Sequence, residues 1–431
     1  MTPNHAEHRD LDHRTKGIPG TAKPFPAAAI EAKKWNVLRQ NVPLPLAILH
    51  ETAIDNNARW MREFCAAAGV SLAPHGKTTM CPQLFRRQLD DGAWAITLST
   101  SHQVQVARDF GIERILVANQ IVDPCFLDYV MAELDCDPAF DLVCLVDSVE
   151  GVRFAGERIK ANGHRRRLGM LIEIGAAQGR TGVRSIRQAE KIATAAKGYT
   201  AQIELRGVEA FEGIFGAATE GNVEKVSALM DQMAQAARVL DAAGFFEGDE
   251  IILSAGGSAY YDIVADRLMP LALSLPKRIV MRSGCYIAHD AAMYRDYFAS
   301  LKARSERVRS VPGALKPALQ VMTYVQSMPE KGLALLTGGK RDLSFDAHLP
   351  VPCKFFRPGR HSSPVDIGGS HEIFALADQH AFLRTPDDTP LRIGDMVILD
   401  ISHPCTTFDK WNVVYGVNDN YDITTAYRTY F

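Results

Sequence analysis

Between Leu72 and Tyr286 the chain repeats one unit eight times: an apolar run of strand length, then a stretch compatible with a helix. The runs are Leu72–Lys77, Ala95–Thr100, Ile115–Asn119, Asp141–Asp147, Leu168–Gly175, Leu205–Gly213, Glu250–Ser258 and Arg278–Tyr286. Alternation of this kind marks βα units and a parallel sheet. Eight regular units fit a (β/α)8 TIM barrel of α/β class better than an open doubly wound sheet. The clearest intervening helix sets Val223, Val226, Met230, Met233, Ala237 and Leu240 on one face and stops at Gly244.

The flanks read differently. The polar segment Met1–Lys23 suggests a flexible arm to Phe25, followed by a segment of helical character, Ala27–Gln40. An extended run, Pro43–His50, then precedes an amphipathic helix carrying Ile54, Ala58, Met61, Cys65 and Ala68. From Val311 helical spacing gives way to strand-like runs at Pro317–Gln326, Ile373–Ala377, Met396–Ile401 and Trp411–Val417, broken by glycine pairs. The expected division is an N-terminal arm over 1–42, a barrel region over 43–310, and a C-terminal mostly β domain over 311–431. The run 44–50 should join the β domain, because the barrel has its eight strands without it.

A net charge of −2 and the lack of any basic run longer than Arg165–Arg167 leave nucleic acid and membrane surfaces without electrostatic support as partners. The eight cysteines form no C-x-x-C pair, as expected of reduced thiols in a cytoplasm. No leader-like apolar region opens the sequence and no 18 apolar residues run together. A cytoplasmic protein with a small-molecule partner is expected.

Polar residues and glycines gather where the eight runs end, which in a barrel is the face that carries the active site. Lys77, in Pro74-His75-Gly76-Lys77-Thr78, ends the first run. A lysine partly desolvated there can lose its proton and form a Schiff base; taken alone, it reads better as a solvated loop residue. The loops after runs seven and eight, the usual barrel site for a phosphate, read Ser254-Ala255-Gly256-Gly257-Ser258 and Arg282-Ser283-Gly284-Cys285-Tyr286. Glycine lets backbone N–H groups close on a phosphate, although a single Gly-Gly is more often a plain turn. A strand-one lysine opposite two such loops is what pyridoxal phosphate needs. In the β domain, His403 and Cys405 stand at i and i+2, one face of a strand, where imidazole and thiolate could share a soft metal ion; a turn with a buried cysteine is the alternative.

These motifs, together with Gln178-Gly179-Arg180-Thr181-Gly182-Val183 and Gly207–Gly213, resemble the fold-type III pyridoxal phosphate enzymes of the D-serine dehydratase and D-threonine aldolase group, relatives of alanine racemase. The resemblance runs from about Pro43 to the C-terminus. It implies an alanine racemase-like barrel plus β domain, with Lys77 as the lysine that carries pyridoxal phosphate and removes the α-proton. It places cofactor contacts at His75, Gln178, Arg180, Phe211, Gly256, Gly257, Ser258, Ser283, Gly284, Cys285 and Tyr286, and puts His380 on the substrate hydroxyl. It also implies a divalent metal, zinc, on His403 and Cys405, and a homodimer in which the β domain of one subunit closes the barrel of the other. His371 and His348 read as ordinary polar residues.

Departures from the group bear on the substrate. Gly76 stands where relatives often carry a bulkier residue, Thr79 where they carry His, Gly175-Ala176-Ala177 where they carry Asp-Val-Gly, and Phe211 where Tyr is usual. Zinc on a β-hydroxyl favours its expulsion, whereas the group's aldolases tend to carry a carboxylate at the Cys405 position. The expected activity is therefore D-serine dehydration to pyruvate and ammonia. Aldol cleavage of D-threonine or 3-hydroxy-D-aspartate is the alternative. A non-catalytic pyridoxal phosphate protein would generally lack the β domain, and a metal-dependent barrel hydrolase would need more strand-end histidines than His75 and His102.

Overall fold

A computed structural model describes residues 10–431. The first strand, β1 (Leu46–His50), stays outside the barrel, and the next eight form it: β2 (Ser71–Leu72), β3 (Ile96–Leu98), β4 (Arg114–Gln120), β5 (Asp141–Val146), β6 (Leu168–Ile174), β7 (Ile203–Ala210), β8 (Ile251–Ser254) and β9 (Lys277–Met281). All neighbours are parallel, from β3 through β9 to β2. The seam between β2 and β3 is closed by a bridge between His75 and Thr97 and by N–H donation from Trp94 to Leu72 (2.7 Å) and from Thr97 to Pro74 (2.9 Å). Each strand overlaps one of the eight apolar runs, β2 at Leu72 alone.

Those runs are legible because barrel strands are buried on both faces and read as continuous hydrophobic stretches. Ala73, Ala95, Leu116, Val143, Leu145, Leu171, Ile252 and Val280 fill the interior. Residues of the opposite register, such as Ile115, Cys144, Ile172, Val208 and Leu253, pack outward against the helices. β2 is short because the chain turns out of the sheet after Leu72. Pro74 then offers no N–H, and the single turn Gly76–Thr78 follows.

The second sheet holds β10 (Leu319–Glu330), β11 (Leu333–Leu336), β12 (Val351–Phe356), β13 (Val365–Asp366), β14 (Glu372–Leu376), β15 (Ala381–Arg384), β16 (Met396–Asp400), β17 (Val413–Val417) and β18 (Ile423–Arg428). The order is β13-β12-β16-β10-β1-β17-β18, with β11, β15 and β14 forming a wing off β10. β1 sits in the middle, antiparallel to β10 and parallel to β17. Strands β11, β12, β13, β15 and β18 escape a reading by apolar runs. β12 contains Pro352 and Lys354, β13 has two exposed residues, and β18 is half polar.

The arm departs from expectation. From residue 10 it is docked rather than flexible, while Met1–Arg9 lie outside the described residues. Leu11, Ile18, Phe25, Ile30, Val37 and Val42 are buried against Leu46, Ile48 and Tyr415 of the second sheet. Leu11 and Phe25 exchange backbone hydrogen bonds of 2.7 and 3.1 Å, and Lys16 donates to Asp342 at 2.8 Å. The polar composition misleads because a few apolar residues suffice to pin an irregular segment onto a sheet face that would otherwise be bare.

Phe25 meets Trp35 edge-on at 5.6 Å and lies 4.2 Å from the Lys33 ammonium. Phe25→Ala should therefore lower stability by about 3 kcal/mol, read as a shifted urea midpoint. An unchanged midpoint would show that the arm is not docked in solution.

Candidate functional site

Lys77 rides on the turn that follows β2, at the mouth of the barrel. Its side chain is exposed, not partly desolvated as the sequence suggests, because the turn lifts it clear of the sheet. Among the described residues the ammonium has neither a hydrogen-bond nor an ion-pair partner. Two residues earlier, His75 Nε2 lies 3.2 Å from Ser99 Oγ while Nδ1 is buried without a partner. Burial, then the charges of Lys77 and Arg282, hold this imidazole well below its usual pKa, so it is neutral. Gly284 passes directly beneath: a Cβ there would lie 2.4 Å from the His75 carbonyl oxygen, so only glycine permits the approach.

The strand-seven loop holds an anion already. Gly256, at φ +100°, donates its N–H to Glu212 Oε2 at 3.1 Å, and Gly257 donates to Glu212 Oε1. Glu212, fully buried at the end of β7, thus stands where a phosphate was expected. Two further buried carboxylates lie on neighbouring strands. Glu209 pairs with Arg282 at 2.5 Å, and Arg282 also donates to Ser254 Oγ (2.7 Å) and the Ala210 carbonyl (3.1 Å). Burial pushes Glu209 up to about 8 against the pull of Arg282. Glu173 accepts from Thr181 Oγ1 at 2.6 Å and from Gln120. Sequence reasoning counts Glu212 only among the polar residues at the strand ends, gives it no role, and overlooks Glu173 and Glu209. Their signal was a glutamate inside an otherwise apolar strand, as in Ile172-Glu173-Ile174 and Val208-Glu209-Ala210.

The remaining expected cofactor contacts scatter. Arg180 lies over the Phe211 ring at 4.8 Å, and Gln178 is exposed at φ +57° in the same loop. Ser258 and Ser283 line a small cavity with Tyr261, His289 and Tyr294, and Ser283 donates to the Gly256 carbonyl at 3.2 Å. Tyr286 is buried with its hydroxyl bonded to Gln88 of the helix Pro82–Asp90, away from the lysine. His380 occupies the turn between β14 and β15, and no hydrogen bond joins its ring to Lys77 or His403. His371 bonds Thr389 at 2.9 Å, as an ordinary polar residue would.

His403 and Cys405 do not lie along a strand. β16 ends at Asp400, and Cys405 opens the short helix Cys405–Phe408 after Pro404 has taken a helical conformation. The pair still lies close enough to interact, for Cys405 is among the groups that raise the His403 imidazole. His403 Nδ1 contacts Asp346 Oδ2 at 2.7 Å, and Thr406 Oγ1 donates to the other oxygen at 2.6 Å. Cys405 Sγ lies 3.4 Å from Thr78 Oγ1 and 3.5 Å from Cys285 Sγ. Hydrogen bonding from Cys285, then the nearby His403, draws the Cys405 thiol well below its usual pKa, while Cys405 and burial drive Cys285 well above. Burial opposes a charged ring at His403, yet Cys405 and Asp346 outweigh it and push the imidazole up to about 9. A thiolate beside an imidazole suits a borderline-soft divalent ion such as Zn2+.

The residues present also fit pyridoxal phosphate. A lysine without a partner stands at the mouth, and two adjacent amides already grip an anionic oxygen pair. Lys77 would hold the aldehyde carbon, and the Gly256–Gly257 amides the phosphate.

The chain is similar to several known proteins. Residues 318–417 match the family described as "Putative serine dehydratase domain". The chain is 26% identical over 378 residues to a 3-hydroxy-D-aspartate aldolase of Paracoccus denitrificans (strain Pd 1222), covering 86% of this chain and 88% of that one. Its fold superposes on D-threonine aldolase from Filomicrobium marinum with a TM-score of 0.71 at 21% identity, covering 90% and 95% of the two chains. The D-threo-3-hydroxyaspartate dehydratase of Delftia sp. HT23 gives 0.69 at 19% identity over 92% and 99%. A cysteine-to-alanine variant of an enzyme with that name is described in a metal-free form.

Because Glu212 competes for the amides that a phosphate would use, Glu212→Ala should tighten binding of pyridoxal phosphate about tenfold, the worth of one charge-assisted hydrogen bond. Binding of pyridoxal, which has no phosphate, should not change. Equal effects on both, in a fluorescence titration, would place the phosphate elsewhere.

Proposed function

We propose that this chain, similar over residues 318–417 to the serine dehydratase domain family and in fold to D-threonine aldolase, is a lyase of β-hydroxy D-amino acids acting chiefly by elimination, with D-serine going to pyruvate and ammonia. The observation that carries the reading is Cys405, 3.4 Å from the hydroxyl of Thr78, the residue next to Lys77, with the His403 ring close enough to be raised by it. When bound, pyridoxal phosphate withdraws electrons from Cα, and a divalent metal on His403 and Cys405 acts as a Lewis acid toward the β-hydroxyl. The Lys77 amine, exposed at the mouth, takes the α-proton. Thr78 fixes the spacing between that amine and the thiolate. Asp346 holds the His403 ring from the far side. The electron pair from Cα–H then forms the Cα–Cβ double bond as hydroxide leaves, and hydrolysis of the product gives pyruvate and ammonia.

The relatives' names favour a second reading, cleavage of Cα–Cβ in 3-hydroxy-D-aspartate or D-threonine. Against it stands the donor set, since a thiolate suits the hard ions Mg2+ and Mn2+ poorly. A homodimer belongs to the same proposal. Phe345, Val351, Val365 and Phe374 of the β domain are large apolar residues left exposed, and His380 lies in the wing that carries Phe374. The eight free cysteines support a reducing, cytoplasmic setting.

The test gives protein loaded with pyridoxal phosphate and Zn2+ each of D-serine, D-threonine and 3-hydroxy-D-aspartate, and assays 2-oxo acid and ammonia against glycine. We expect 2-oxo acid and ammonia to dominate. Glycine as the main product would replace the dehydratase reading with the aldolase one. Lys77→Ala should remove activity at least 1000-fold together with the borohydride-sensitive absorbance near the visible edge, and a variant retaining both would end the assignment of Lys77.

A further inference from the structure

A catalytic zinc is usually held by three protein side chains with a fourth position open, and the His403–Cys405 pair offers two. The loop after β9 brings a third donor. Cys285 Sγ, almost fully buried, lies 3.5 Å from Cys405 Sγ and 3.5 Å from Thr78 Oγ1. We propose that Cys285 is the third protein ligand of a divalent metal, making with His403 and Cys405 a Cys2His zinc site whose open position faces Lys77 across Thr78.

The geometry is close to what the ion needs. Two thiolates bound tetrahedrally at about 2.3 Å stand about 3.8 Å apart, so the observed 3.5 Å must widen by only a few tenths of an ångström. Among the described residues no three His, Cys, Asp or Glu side chains already stand in metal-holding geometry, so the three donors must draw together on binding the ion. Its Nδ1 is fixed on Asp346 at 2.7 Å, the carboxylate partner that metal-bound histidines usually keep, which leaves Nε2 as the donor. The sulfur of Cys285 faces Cys405 and Thr78 rather than the Gly256–Gly257 amides. It therefore takes no part in the anion site that its loop suggested by sequence. Two thiolates and an imidazole select Zn2+ over Mg2+, Mn2+ or Ca2+.

The proposal deepens the metal's role in the lyase, but its test reads the metal's neighbours directly and so can fail apart from that reading. Full-length protein stripped of metal is loaded with Zn2+ alone, without pyridoxal phosphate or amino acid, and examined by X-ray absorption at the zinc edge. Two sulfur neighbours at about 2.3 Å are expected in the wild type and one in Cys285→Ser. Chelator competition should show the variant binding Zn2+ at least about 100-fold more weakly, while the melting temperatures of the metal-free proteins agree. A wild-type site with one sulfur overturns the proposal whatever the variant does. So does a Cys285→Ser protein that keeps the wild-type sulfur count and affinity.

Discussion

The site depends on one buried meeting point, the Thr78 hydroxyl lying within 3.5 Å of the sulfurs of both Cys285 and Cys405. Each of the three atoms comes from a different part of the fold: the turn after β2, the loop after β9 and the short helix after β16. Barrel and β domain are locked together there, and the lysine one residue away takes its position from that lock. The turn can reach it because Gly76 has no side chain. A Cβ at that position would lie 2.8 Å from the Phe85 ring, so the bulkier residue found in relatives is excluded here by a filled core. Gly284 allows the second close approach, beneath the His75 carbonyl.

Electrostatic balance at the barrel mouth is largely internal. Three buried glutamates are held there by one arginine, a threonine, a glutamine and two backbone amides, with Glu209 Oε2 alone among their oxygens buried without a partner. Buried charge is tolerated only when it is paired and hydrogen-bonded. The protein therefore holds its anion receptor filled by Glu212, and a phosphate arriving there exchanges one anion for another instead of entering an empty cradle. For a cofactor phosphate bound there, the cost of displacing Glu212 would become part of its affinity.

Much of this was legible in the chain and some was not, for reasons specific to particular residues. The barrel strands stood out because burial on both faces makes them uniformly apolar. The wing strand β15 and the edge strand β18 did not, since partial exposure admits Thr and Arg, and β11 is a run of only four residues. Leu11, Ile18 and Phe25 are too sparse for any periodicity, yet each is buried on the second sheet. His403 and Cys405 were recognisable as a donor pair by residue type, but Pro404 places them on a loop and a helix start, where alternation along a strand does not apply.

Residue order alone determined the eight βα units, the change to β structure after Val311, and the placing of Lys77 and the glycine loops at strand ends. Periodicity and residue chemistry are local properties, and a chain carries them whatever its distant segments do. Only the tertiary structure decided that the Gly256–Gly257 amides hold Glu212, that Tyr286 turns into the core, and that Cys285 meets Cys405 across 120 residues of chain. These outcomes rest on distances between side chains from separate strand ends. Closing the barrel and packing the second sheet against it fix those distances, and no spacing along the sequence encodes them.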